Sequence, residues 1–276
     1  MVDPRLEKSL KAAGRGGASG WALVTGASRG IGRALALELA QAGWDVVLTA
    51  RDEEALREVA REVEAEGRRS RIIVSDLGDP HGVEALVQAL TETETQVEVL
   101  VNNAGIGDYG PFVDADPHRM ATMVHLNVTA VTALTRHLLP GLVARGRGRV
   151  LNVASTAAFQ PGPLMAVYYA SKAYVLSLSE ALQDELRGTG VTVTALCPGP
   201  TRSHFHARAG MEGSPLASGF PMGSSRRVAR AGVRAMLRGK AVAVPGVLNR
   251  IHVFFVRFIP RNLVPRIVRR VQKVRV

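Results

Sequence analysis

The sequence has 276 residues, of which 46% are hydrophobic, a net charge of +11 and a single cysteine, Cys197. This length fits one α/β domain of the larger kind, and no unbroken apolar run reaches the roughly 18 residues of a membrane-spanning helix. One cysteine excludes an internal disulfide, and residues 1–20 lack the apolar segment of a secretory signal, so we expect a cytoplasmic protein.

Short apolar runs alternate with amphipathic helical segments along most of the chain. The predicted strands are WALVTG, DVVLTAR, RIIVSD, VEVLVNNAG, GRVLNVAS and VTVTALCPG. The segments between them, such as IGRALALELAQAG and DEEALREVAREVEAEG, have the apolar spacing of helices and end at glycine. This alternation predicts a doubly wound parallel sheet covered by helices on both faces, an α/β fold of three layers in a single domain.

The turn after the first predicted strand, residues 25–32, has glycines at 26, 30 and 32. Glycines allow a backbone to approach a diphosphate closely, and the N–H groups at the start of the next helix point toward that diphosphate. Glycine turns between a strand and a helix also occur for packing alone. The turn by itself therefore favours a dinucleotide site without excluding the packing interpretation.

The glycine turn and five further motifs occur in the order and approximate spacing of one family. The turn has the spacing Gly-x-x-x-Gly-x-Gly, and it is followed by NNAG at 102–105, HLNV around Asn127, Ser155 after a strand, a Tyr-x-x-x-Lys helix and PGPT at 198–201. Together they resemble the short-chain dehydrogenases/reductases over about residues 21–201. The resemblance implies a Rossmann-type fold, an NADP-binding catalytic domain at 21–246 with a substrate loop at about 202–225, and a homodimer or homotetramer.

The resemblance also implies roles for individual residues. Asn127, Ser155, Tyr168 and Lys172 match the family's catalytic set, in which the asparagine anchors a water that connects the lysine to solvent. Thr201 matches the residue that holds the nicotinamide carboxamide, and Asp76 matches the aspartate on the adenine side. The full set of expected cofactor-binding residues is Gly26, Ser28, Arg29, Gly30, Ile31, Gly32, Arg51, Asp76, Leu77, Asn103, Ala104, Gly105, Tyr168, Lys172, Pro198, Gly199 and Thr201.

Two adjacent tyrosines, Tyr168 and Tyr169, precede Lys172. Residues three and four apart on a helix share a face, so periodicity cannot separate the two. The family pattern selects Tyr168, and Ser155 lies at the family's usual interval before it. A phenol near pH 10 needs nearby positive charge to exchange a proton at neutral pH, and Lys172 supplies such a charge.

The charges around the second strand predict the cofactor. An acidic residue at the strand end would accept hydrogen bonds from an adenosine ribose, whereas this sequence has Arg51 there and Arg29 in the glycine turn. Two guanidinium groups favour a 2′-phosphate, so we expect NADP(H). The alternative is that Arg51 pairs with Asp52 or Glu53 and that Arg29 lies along the surface.

The chain ends in a basic amphipathic tail, residues 247–276, expected to be helical. From Arg202 onward there are 16 Lys and Arg against one acid, Glu212, so this part carries +15 and residues 1–201 carry −4. Phe254, Phe255 and Phe258 recur at helical intervals beside arginines. Peripheral contact with an anionic membrane and packing on the protein's own core, or on a partner subunit, are equally favoured. Nucleic-acid binding is not expected, because no nucleic-acid fold is visible.

These features predict an NADP(H)-dependent oxidoreductase that interconverts a carbonyl and a secondary alcohol on an apolar substrate. The alternative is a dinucleotide-bound regulatory protein whose working surface is the basic tail. His204 and His206 follow the PGPT motif without further ligands nearby, so we expect cleft residues and no metal site. We expect residues 1–20 to be a flexible extension.

Overall fold

A computed structural model of the chain describes residues 20–201 and 223–272. The strands are β1 (Trp21–Thr25), β2 (Asp45–Ala50), β3 (Ser70–Val74), β4 (Val97–Asn102), β5 (Gly148–Val153), β6 (Val191–Leu196) and β7 (Val242–Ala243). The helices are α1 (Gly30–Gln41), α2 (Glu53–Ala65), α3 (Gly82–Glu92), α4 (Pro117–Val124), α5 (Ala130–Ala144), α6 (Ala166–Glu185), α7 (Ser225–Leu237), α8 (Val247–Val256) and α9 (Val264–Gln272). Most of the predicted substrate loop, with His204 and His206, lies outside the described residues, as do 1–19 and 273–276.

The strands form one parallel sheet in the order β3-β2-β1-β4-β5-β6-β7. The strand order reverses between β1 and β4, which opens a crevice at their carboxyl ends, the usual ligand position in such sheets. The predicted Rossmann-type doubly wound sheet is confirmed.

Two apolar clusters cover the two faces of the sheet. On one face, α1, α2 and α7 pack on side chains such as Val46 and Leu48. On the other face, α3 and α5 pack on side chains such as Leu23 and Leu100. The central strands are buried on both faces, which explains why they read as unbroken apolar runs. The fold is therefore three layers deep.

A helical segment that the sequence presents as continuous is divided in the structure. Helix α4 ends at Val124, a π-helical turn spans His125–Thr129, and α5 begins at Ala130. The extra residue in a π turn shifts the register of the helix and turns one side chain inward. That side chain is Asn127, which is fully buried.

The tail forms two helices that pack one face onto the body of the protein. Val253 is buried in α8, and Val264 and Val268 of α9 pack against Met165 and Tyr169. The packing interpretation is therefore correct for this face. Phe254, Phe255 and Phe258 do not pack on the body of the protein and are all exposed. Within the described residues, no helix combines the length and the hydropathy needed to cross a bilayer.

Candidate active site

A cleft of about 960 Å³ lies at the carboxyl ends of the strands. Its floor is formed by the turns that follow β1, β2, β4 and β5, on either side of the point where the strand order reverses. Its opposite wall is formed by α8 and α9 of the tail. All of the expected cofactor residues line this one cleft: Gly26, Ser28, Arg29, Gly30, Ile31, Gly32, Arg51, Asp76, Leu77, Asn103, Ala104, Gly105, Tyr168, Lys172, Pro198, Gly199 and Thr201.

The glycine turn has the backbone geometry that its sequence requires. Gly26 and Gly30 have φ of 62° and 58°, a region that side chains other than glycine rarely enter. A Cβ on Gly32 would collide with the Gly26 carbonyl and the Asn103 amide. Asn103 donates from Nδ2 to the Thr25 carbonyl at 2.8 Å, which fixes the turn against the end of β4. The turn is thus a rigid concave cradle at the N-terminus of α1, and it fits a diphosphate.

The two arginines expected at the cofactor ribose both form ion pairs. Arg29 pairs with Asp52 at 2.6 Å, and Arg51 pairs with Asp76 at 3.5 Å. The alternative interpretation of the sequence expected Arg51 to pair with Asp52 or Glu53. In the structure Arg51 does form an ion pair, but its partner is Asp76. All four side chains are partly or largely exposed and line the cleft, so these pairs contribute little stability and can exchange for another anion.

Ser155 and Tyr168 meet at the end of β5. Ser155 caps a short 3₁₀ turn, Thr156–Phe159, by accepting a hydrogen bond from the Ala157 amide at 3.1 Å. Its hydroxyl also lies 3.5 Å from the Pro198 carbonyl oxygen and is hydrogen-bonded to the Tyr168 phenol. Burial raises the pKa of Tyr168 to about 12, against the lowering effect of the bond with Ser155. In the protein without cofactor the phenol therefore keeps its proton at neutral pH.

Lys172 is buried one helical turn beyond Tyr168. Its ammonium donates to the Val153 carbonyl at 2.9 Å and lies 5.9 Å from the centre of the Tyr168 ring. Burial lowers the pKa of Lys172 to about 8, because the charged form loses solvation. The side chain is therefore mostly charged at pH 7 and faces the phenol that the sequence pairs with it.

Asn127 holds the loop that follows β4. Its Oδ1 accepts from the Ile106 amide at 3.0 Å, and its Nδ2 donates to the Ile106 carbonyl at 2.9 Å and to Ser171 Oγ at 3.0 Å. A Cβ on Gly105 would contact both Asn127 and Lys172, so the two side chains approach the same point of the backbone. The π turn is what directs Asn127 to this position.

Tyr169 lies beside Tyr168 but contacts a different set of residues. The two rings are edge to face with centres 6.1 Å apart. The Tyr169 hydroxyl accepts from Gln272 Nε2 at 2.5 Å, and the Tyr109 hydroxyl donates to the Gln272 backbone carbonyl at 2.7 Å. Tyr169 therefore connects the tail to the body of the protein, whereas Tyr168 contacts Ser155.

Sequence reasoning missed Tyr109, Gln160 and Gln272. Gln160 also hydrogen-bonds the Tyr169 phenol, and both glutamines line the cleft. The Oε1 atoms of Gln160 and Gln272 are buried and have no partner among the described residues. They place two polar groups in an otherwise apolar part of the cleft. No motif marks these residues, because the contact between Tyr169 and Gln272 spans 103 positions.

The PGPT segment lines the cleft with all four of its residues. The Thr201 hydroxyl donates to the Gly199 carbonyl at 2.8 Å, and Thr201 forms an isolated parallel bridge with Gly223. Asn249 of α8 lies directly against Gly199, so the tail reaches this segment as well. Cys197, just before the segment, is fully buried, and burial raises its pKa to about 12, which leaves an unreactive thiol. Within the described ranges, no cluster of three or more His, Cys, Asp or Glu side chains could hold a metal.

A parallel sheet with a glycine cradle at its switch point defines the class of Rossmann-type dinucleotide-binding folds. A family profile described as short chain dehydrogenase matches residues 20–212. The chain therefore belongs to the short-chain dehydrogenase family, as the motifs predicted.

Individual relatives agree with this assignment. The chain is 38% identical over 187 residues to a very-long-chain 3-oxoacyl-CoA reductase of Anas platyrhynchos, a match that covers 66% of this chain but only 60% of that protein. A short-chain dehydrogenase from Sphingobium yanoikuyae, solved in complex with NADPH, is 30% identical with a TM-score of 0.76. The match covers 88% of this chain and 97% of that protein. A relative from Burkholderia phymatum, solved in complex with NAD, is 26% identical with a TM-score of 0.76 and covers 86% and 92%.

Proposed function

We propose that this protein is an NADP(H)-dependent oxidoreductase that interconverts a carbonyl and a secondary alcohol on an apolar substrate. The observation that carries the proposal is the convergence of Ser155, Tyr168 and Lys172 at one end of a cleft with a diphosphate cradle. The bound nicotinamide supplies the hydride. Ser155 donates a hydrogen bond to the substrate oxygen, where negative charge develops during reduction.

In the direction of reduction, Tyr168 gives its proton to that oxygen. A phenol with a pKa of about 12 is fully protonated at neutral pH, but its phenolate needs stabilisation for the transfer to proceed. The Lys172 ammonium, 5.9 Å from the ring, supplies part of that stabilisation. Asn127 fixes the backbone of Ile106, and we propose that it also anchors a water that connects Lys172 to solvent.

The substrate class follows from the wall opposite Tyr168. That wall is built from aliphatic side chains such as Ile259, Val264 and Val268. An acyl-like, steroid-like or other lipid-like ketone fits such a surface. The relative named as a very-long-chain 3-oxoacyl-CoA reductase supports a long apolar chain.

Turnover should first be sought with NADPH across ketones, acyl thioesters and steroids. With an active substrate in hand, Tyr168→Phe should remove nearly all turnover while NADPH binding stays nearly intact, because only the transferred proton is lost. Tyr169→Phe is the matched control and should retain most activity. Loss of turnover in Tyr169→Phe alone would show that the wrong hydroxyl has been assigned, and NADPH binding without turnover on any substrate would favour a regulatory protein.

The preference for NADP(H) is proposed from Arg29 and Arg51, which both line the cleft. A 2′-phosphate would replace Asp52 and Asp76 as their partner and gain charge-assisted hydrogen bonds. Dissociation constants for NADPH and NADH should therefore differ in the unmodified protein and converge in Arg51→Ala. Equal affinities in the unmodified protein would overturn the preference.

We propose further that the protein works in the cytoplasm as a homodimer or homotetramer. Helices α5 and α6 lie side by side with a contact between the Thr132 and Tyr174 hydroxyls at 2.8 Å, and Val143 and Tyr174 are exposed apolar side chains on these helices. Light scattering at micromolar concentration should give a multiple of the 29.5 kDa chain mass. A monomer mass would overturn this assignment.

A further inference from the structure

The outer face of the tail is an apolar surface that nothing in the described structure covers. Phe254 and Phe258 are 55% and 69% exposed, and their rings contact each other. We call the exposed apolar side chains of this region the tail patch: Val247, Leu248, Ile251, Phe254, Phe255, Phe258, Leu263, Ile267 and Val271. Contiguous exposed apolar surface of this kind marks an interaction site.

The tail patch is surrounded by positive charge. Residues 247–272 contain six arginines and no acid: Arg250, Arg257, Arg261, Arg266, Arg269 and Arg270. All six are exposed, and none forms an ion pair with a carboxylate of residues 20–201 or 223–272. An unpaired basic rim around apolar side chains complements a surface that is apolar inside and anionic outside.

The tail patch is continuous with the candidate active site. Five of its side chains are exposed and also line the cleft: Leu248, Ile251, Phe255, Ile267 and Val271. The cleft therefore reaches the surface at side chains of both α8 and α9. Phe255, which lines the cleft, contacts Phe254, and Phe254 contacts Phe258, so the apolar surface continues from the cleft to the outer rings.

We propose that the tail patch docks on an anionic lipid bilayer and that the apolar substrate passes between the bilayer and the cleft through the opening lined by α8 and α9. The phenylalanines enter the acyl boundary and the arginines contact anionic head groups. A second copy of this chain fits the patch less well, because a symmetric contact would oppose two sets of arginines without a single acid in 247–272. The proposal deepens the proposed function by assigning the source of its substrate.

The test is flotation of the purified full-length protein with vesicles of phosphatidylcholine alone or with about one third phosphatidylglycerol. We expect binding to the anionic vesicles only, and weaker binding at high salt. Phe254→Ser/Phe258→Ser should reduce the partition coefficient at least tenfold, and neither residue lines the cleft. Phe112→Ser/Val113→Ser, which removes two exposed apolar side chains of a turn outside the tail patch, is the control and should bind like the unmodified protein.

Charge is tested separately. Arg257→Gln/Arg261→Gln should weaken binding to anionic vesicles about 30-fold, at about 1 kcal/mol for each basic residue. Arg61→Gln/Arg187→Gln removes the same charge from exposed arginines elsewhere and should have little effect. Equal losses in the two pairs would show a general charge effect and overturn the docking surface.

Two outcomes reject the proposal outright. The first is that the unmodified protein fails to bind anionic vesicles at low salt. The second is that Phe254→Ser/Phe258→Ser lowers the oligomer mass in light scattering, which would assign the patch to a second copy. Vesicle binding is read without turnover, so it is independent of the proposed reaction. If the reaction is right, the same double variant should keep its turnover of a water-soluble ketone and lose that of a ketone supplied in vesicles.

Discussion

Replacement of Lys172 by methionine should change how the stability of the protein depends on pH. Burial lowers the pKa of Lys172 from an ordinary value of 10.5 to about 8 in the folded protein without cofactor. Between these two values the unfolded chain binds more protons than the folded one, so the free energy of unfolding rises with pH across this window. Below about pH 8 the folded state carries the full penalty of a buried ammonium.

The size of the effect follows from the two pKa values. A shift of this size corresponds to a penalty of about 3 kcal/mol at pH 7, which falls below about 1 kcal/mol at pH 10. Methionine has a similar length and no charge. The difference in unfolding free energy, unmodified protein minus Lys172→Met, should therefore increase by about 2.5 kcal/mol between pH 7 and pH 10.

Urea denaturation of both proteins without cofactor, at half-unit pH steps, measures this difference directly. The lost hydrogen bond to Val153 adds a constant offset, so only the change with pH is diagnostic. Burial raises the pKa values of Tyr168 and Cys197 to about 12, so both groups stay neutral in the folded state through the window, and their ionisation in the unfolded chain cancels because both proteins carry them. A difference that is independent of pH, or that changes in the opposite direction, would refute the assignment of a buried, partly desolvated ammonium.

Three further outcomes are expected. Gly32→Ala should weaken NADPH binding at least tenfold in a fluorescence titration, because its methyl group would meet the backbone of the turn and Asn103; unchanged binding would contradict the rigid cradle. Tyr169→Phe leaves the Gln272 amide without its phenol partner and should lower the unfolding free energy by about 1–3 kcal/mol. Unchanged stability in urea denaturation would contradict the packing of the tail on Tyr169. Cys197 should resist thiol reagents in the native protein and react fully in denaturant, and rapid native labelling would argue against its burial.

The sheet and its layers could be predicted from the sequence because each element carries its own signal. In an unbroken apolar run such as Val46–Leu48, successive side chains point to opposite faces, and a parallel sheet covered by helices buries both sets. The motif residues follow these strands in the chain, so the topology places Gly26, Asn103 and Ser155 at one edge. The short-range spacing in the sequence was sufficient for this part of the site.

Other parts of the site depend on contacts that have no local pattern. Tyr168 and Tyr169 have almost the same helical position, and they differ only because Ser155 meets one and Gln272 meets the other. The ion partners of Arg29 and Arg51 depend on the distances between three strand ends, which charge alone does not specify. The periodicity of the tail shows that its helices have apolar side chains, but it does not show which of them pack on the body. In the structure Val264 and Val268 do so and Phe254 and Phe258 do not.

The cleft has two walls of different origin, and this division matters for how the protein can change. The cofactor cradle is built from turns of the central sheet, whereas the substrate wall is built largely from α8 and α9, which follow the last strand. Under the proposed function, substitutions in 247–272 that leave Asn249 in place against Gly199 should alter which molecules are accepted while the glycine cradle keeps its geometry. In that case the tail would act as an exchangeable selectivity module, and chimaeras that graft a different tail after β7 would test whether the substrate range changes with it.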